Sequence, residues 1–161
     1  MIKMTSAQYS SLISVYNSSE KEQAALMPAK KSGSDIIPYS IICDDKLKFH
    51  STKDSIRFNM FRIRKELARA KARDGADAAI IFHTHPGGHY VGLSRMDEFG
   101  LRQMLLFVKI PGVETFLGVI SGPDIAVWNC NGLKTRRLDV AVDGKIKKTT
   151  VPASYKELMG K

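Results

Sequence analysis

The segment Ala76-Asp-Ala-Ala-Ile-Ile-Phe-His-Thr-His85 constrains the fold more than any other stretch of the chain. Its apolar residues run on without alternation, the pattern of a central strand buried on both faces. Gly75 before it and Pro86-Gly87-Gly88 after it fix its limits. A strand of this kind needs a covering layer on each side. The flanking sequence offers helices for that purpose. Tyr9, Leu12, Ile13 and Tyr16 recur at helical spacing, which predicts a short amphipathic helix near 5–17. A second, long helix is expected from Asp54 or Ser55 to about Arg73, with Ile56, Met60, Ile63 and Leu67 on its buried face and Gly75 as its breaker. A third runs over about 95–109, with Leu101, Met104, Leu105 and Val108 as its apolar stripe, and is ended by Pro111.

The remaining segments read as strands and turns. EQAALM (22–27) is expected to be a strand stopped by Pro28, and AKKSGSD (29–35) a polar turn or mobile loop. Residues 36–44 and 46–50 read as a β-hairpin with Pro38 at an edge. ETFLGVISG, DIAVWNC and LKTRRLDVAVDGKIKKTT read as closing strands, and the tail after Pro152 as a short helix. This alternation gives an α/β fold: one domain over 1–161, built as a mixed β-sheet flanked by helices. A chain of 161 residues can bury such a core without staples.

Composition narrows the setting. Only two cysteines, Cys43 and Cys130, are present and nothing pairs them at metal-ligand spacing, which suits a reducing, cytoplasmic compartment. The N-terminal residues lack the apolar core of a signal peptide, and no stretch approaches the roughly 18 apolar residues of a membrane span. The net charge of +9 points to an acidic partner or to nucleic acid, and bears on association more than on chemistry.

The chemistry is concentrated in HTHPGGHYVGLSRMD (83–97). His83 and His85, two apart on one strand, present both imidazoles to the same side. Asp97 falls in the first turn of the third helix, four residues before Leu101, so it is expected to face inward with the apolar stripe. A buried carboxylate beside two imidazoles is costly unless a cation compensates it. Zn²⁺ held by His83, His85 and Asp97, with a fourth position left for water, meets that need. Ser94-x-x-Asp97 is at the same time an ordinary capping box, and the two roles are compatible. His89 is expected in an exposed loop outside the ligand set, and His50 ends a hairpin strand with no partner evident in sequence.

His83-Thr-His85-Pro86 followed by Ser94-x-x-Asp97 resembles the JAMM motif of the JAB/MPN+ zinc metallopeptidases, and the likeness in element order covers roughly residues 5–130. The resemblance implies a JAB/MPN-like fold of broadly cytidine-deaminase-like architecture. It implies an isopeptidase or peptidase that cuts at the C-terminal tail of a ubiquitin-like protein or its conjugates. It further implies an early-strand glutamate as general base. Glu22, in Glu22-Gln-Ala-Ala-Leu-Met27, matches that position, with Glu20 as the alternative. Ser94 would then donate a hydrogen bond to the developing oxyanion. Zinc deaminases need H-x-E and P-C-x-x-C, and neither occurs here.

Two other functions fit parts of the sequence. One is a non-catalytic scaffold of the same fold, against which the complete His/His/Asp set argues. The other is a nucleic-acid-binding domain, suggested by Arg57, Arg62, Arg64, Lys65, Arg69, Lys71 and Arg73. A solvated face of an amphipathic helix explains that cluster more simply, so nucleic acid is not expected as the partner.

Overall fold

The computed structural model describes residues 1–87, 91–93 and 95–149, with the backbone alone for 95–98. In chain order the elements are β1 (Ile2–Met4), α1 (Ser6–Asn17), β2 (Ala24–Ser32), β3 (Asp35–Pro38), β4 (Lys48–Ser51), β5 (Ile56–Phe58) and α2 (Met60–Asp74). Then follow β6 (Ala78–Thr84), α3 (Arg95–Val108), β7 (Glu114–Ser121), β8 (Asp124–Asn129), β9 (Arg136–Leu138), β10 (Val140–Val142) and β11 (Lys145–Ile146). Nine of these strands make one mixed sheet in the order β11-β10-β1-β3-β2-β6-β7-β8-β9, while β4 and β5 pair separately. The chain is thus a mixed α/β protein with three α-helices among the described residues.

β6 lies inside the sheet, next to its middle strand β2, and all seven of its residues are buried. It runs antiparallel to β2 and parallel to β7. Alternate residues serve opposite layers. Ala78, Ile80 and Phe82 pack with Leu12 and Val15 of α1. Ala79 and Ile81 pack with Ile63 and Leu67 of α2 and with Leu101, Met104, Leu105 and Val108 of α3. The unbroken apolar run is therefore the consequence of two helical layers, as expected.

Local signals set the helix ends. Thr5 and Gln8 form a capping box at α1. Asn59 caps α2, accepting from the Arg62 N–H at 3.1 Å, and Gly75 ends it in the left-handed region at φ +70°.

Three expectations need correction. The long helix starts at Met60, not at Asp54 or Ser55, because Ile56-Arg-Phe58 pairs with β4 before Asn59 can cap. Residues 36–44 do not pair with 46–50. β3 instead folds back on β2 through a two-residue turn at Gly33 (φ +62°), and β4 pairs with β5. Residues 29–32, expected as loop, continue β2 through Pro28. The Pro28 carbonyl accepts from the Tyr39 N–H at 3.1 Å, so its missing donor also faces the β3 side, just past the end of that strand, and leaves the ladder with β6 intact. β1 was not foreseen: its three residues owe their conformation to parallel pairing with β10, almost 140 positions away, and with β3. The expected helix after Pro152 lies outside the described residues.

Candidate metal centre

The register of β2 against β6 assembles the centre. Ala24 pairs with His83, and the N–H of Thr84, the last residue of β6, donates to the carbonyl of Gln23, just before β2, at 2.9 Å. The Gln23 N–H returns the bond to Thr84 Oγ1 at 2.8 Å. Continuing this register puts Glu22 opposite His85. In antiparallel strands opposed residues share a face, so Glu22, Ala24, His83 and His85 all point toward the layer of α2 and α3. Glu22 is 4% exposed and His83 1%.

His83 Nε2 and His85 Nε2 stand 3.0 Å apart, and a Glu22 carboxylate oxygen joins them with all three atoms within 4.8 Å of one another. Two imidazole nitrogens bound tetrahedrally to zinc at about 2.05 Å would be roughly 3.3 Å apart, so the observed pair is close to ligand geometry. A spacing within 4.8 Å admits Glu22 as a carboxylate one hydrogen bond outside a coordination sphere as well as one inside it. Two N–H groups cannot face each other at this distance. Either one ring donates to the other, or both lone pairs face a cation. The donor set, imidazole and carboxylate, is one that zinc accepts.

Residues without any sequence signal hold these groups in place. The Glu22 N–H donates to the Thr52 carbonyl at 2.7 Å, tying the glutamate to the segment between β4 and β5. The His85 N–H donates to the Ile120 carbonyl at 2.8 Å, and Ser121 Oγ donates to the His85 carbonyl at 2.9 Å. The Phe58 ring meets His83 edge-on, with centroids 6.1 Å apart. Thr84, between the two histidines, lies on the opposite face and supplies the hydroxyl that anchors Gln23.

The expected residues divide as follows. Glu22, His83 and His85 are brought together, and Glu20 is exposed and outside the cluster. Asp97 belongs to the first turn of α3, the helix that covers this face; its side chain lies outside the described residues. Ser94 and His89 also lie outside them. Val91 and Leu93, in the segment leading into α3, are buried in the core formed by α2, α3 and this sheet face. The basic run on α2 is partly neutralised. Arg62 pairs with Asp44 and Glu66, and Arg69 also pairs with Glu66.

The fold and cluster together define a mixed α/β protein with a His/His/Glu group, buried at Glu22 and His83 and partly buried at His85, at the end of an interior strand. No family model and no curated protein sequence matches the chain. Among solved structures, the chain is similar to the solution structure of protein DSY2949 from Desulfitobacterium hafniense. The two share 15% identity over 91% of this chain and 96% of the other, with a TM-score of 0.64. That likeness is one of fold.

Proposed function

We propose that this chain is a zinc-dependent peptidase of the JAMM type, with a JAB/MPN-like fold, acting as an isopeptidase or peptidase at the C-terminal tail of a ubiquitin-like protein. The convergence of the buried His83 and Glu22 with the partly buried His85 supports this most directly. His83, His85 and Asp97 would hold the metal, and Glu22 would act on its bound water from one hydrogen bond away. Zinc, when bound, supplies Lewis acidity, making a water nucleophilic near neutral pH and polarising a carbonyl.

The protein's own groups do the rest. Glu22, kept from bulk water by its burial, accepts the proton of the attacking water and passes it to the departing amine. Ser94 donates to the oxygen of the scissile carbonyl as charge develops on it. The backbone bond from Glu22 to Thr52 and the Ser121 hydroxyl bond to the His85 carbonyl hold the base and a ligand at fixed separation, which lowers the reorganisation needed during the reaction. The choice of a ubiquitin-like substrate rests on the resemblance of the motif. The basic face of α2 is assigned to folding and substrate docking, an assignment supported by its ion pairs and by the burial of Ile63 and Leu67.

Elemental analysis of the purified protein tests the metal: about one zinc per chain is expected, lost in His83→Ala and in Asp97→Ala. Full zinc in both variants would remove the assignment. Incubating the zinc-loaded protein with a panel of ubiquitin-like fusions, followed by mass spectrometry, tests the activity.

A further inference from the structure

Aromatic side chains gather on one side of the metal centre. Phe49 and Phe61 are 59% and 70% exposed, although large apolar groups usually leave water in a folded chain. Phe49 and Phe61, with the buried Phe58, border a recess of about 330 Å³. Met60 and Met104 add to its walls, and His83 lines its inner end. The recess therefore reaches the candidate metal centre at His83.

Its construction has a specific backbone cause. β4 and β5 pair at Lys48↔Phe58 and again at His50↔Arg57, so Phe49 is one residue too many and forms a bulge. A bulge interrupts the regular alternation of side chains and re-aims the extra one, and bulges gather beside functional sites for that reason. Here Phe49 joins Phe58 and Phe61 around one recess, while His50 lines a separate polar cleft that also includes Pro86 and Gly87. The Arg57 guanidinium, itself part of the recess wall, lies over the Phe49 ring at 5.9 Å from its centroid. Phe61 in turn meets Phe107 of α3 edge-to-face at 5.3 Å, which braces the opposite wall.

We infer that this recess receives a large apolar side chain, aromatic or long aliphatic, of the polypeptide substrate, carried within a few residues of the bond presented to the metal centre. The inference rests on the peptidase reading for the identity of its occupant. Its continuity with His83 is what singles out a substrate side chain over a separate partner. The methionines suit this role because their flexible thioethers adapt to side chains of different outline.

The experiment reads binding separately from cleavage. Fluorescent hexapeptide pools, each with one residue fixed at one position, are titrated onto zinc-loaded Glu22→Gln protein, while cleavage of the same pools is followed on the unaltered chain. Pools fixed as Phe or Leu at one position should bind about 10- to 100-fold more tightly than those fixed as Gly or Asp, the range expected for burying one such side chain. Phe49→Ser with Phe61→Ser should bring the difference within about twofold, and Phe49→Ser alone gives the same direction if the double variant does not fold. Equal binding of all pools, or a preference that survives both substitutions, overturns the inference. So does self-association that the same substitutions abolish in the absence of any peptide preference, which would make the recess a contact between copies. Selective binding without cleavage would leave the pocket standing and remove the peptidase reading; unselective cleavage would do the reverse.

Discussion

Gly118→Ala is expected to damage the protein from the face opposite the Glu22, His83 and His85 cluster. Gly118 pairs with Phe82 in the parallel register of β6 and β7, and the Phe82 ring lies over it. A Cβ added at Gly118 would stand 2.9 Å from Phe82 Cγ, with two further ring carbons closer still. Carbon atoms in good contact are about 3.5–4.0 Å apart, so the ring must move by roughly 1 Å or more, or the strands must part. Phe82 is fully buried and packed against α1, so neither motion is cheap. Overpacking of this kind costs about 1–3 kcal/mol, and the geometry places this case at the upper end. For a chain of this length that corresponds to a fall in Tm of about 6–12 °C. Chemical denaturation of Gly118→Ala, Phe82→Leu and the double variant completes the test. Shortening the ring makes room for the methyl group, so the double variant should be less destabilised than the sum by at least about 0.5–1 kcal/mol. A Tm for Gly118→Ala within about 2 °C of the parent, or strict additivity in the cycle, would refute the packing argument.

The remaining expectations concern the base and the alkaline limit. Glu22→Gln should fold and retain zinc while turnover falls by roughly 10²–10⁴-fold, and the exposed Glu20→Gln should change little; a dead Glu20→Gln with an active Glu22→Gln would reverse the assignment. Tyr39 donates to Asp74 at 3.1 Å, and burial first, then this bond, pushes its phenol up to about 12. The folded state therefore holds this proton more tightly than the unfolded chain, whose tyrosines titrate near pH 10. The resulting stability is complete below about pH 10 and is lost as pH rises toward 12, so Tyr39→Phe should flatten the denaturation midpoint across that window. An unchanged slope would show that the contact contributes nothing.

The parts of the fold that local chemistry controls were legible in the chain. The central strand was visible because two covering layers demand an uninterrupted apolar run, and α1 and α3 because their buried residues recur at the helical period. The same stretch placed His83 and His85 on one side, since alternation within a strand is a local property. Long-range pairing decided the rest. Residues 29–32 looked like loop because Lys30, Lys31 and Ser32 are polar, yet pairing with β3 and a left-handed Gly33 keep them extended. Ile56 carried a helical spacing, but its partner across β4 made it a strand. Glu22 was preferred to Glu20 in sequence only through the resemblance of its motif, whereas the β2–β6 register is what sets it opposite His85, and nothing near Thr52 or Ser121 in sequence announces their bonds to the centre. The bulge at Phe49 belongs to the same class. Hydrogen-bond register is a relation between two segments, so a motif can name candidate ligands, while only the folded sheet determines which side chains meet them.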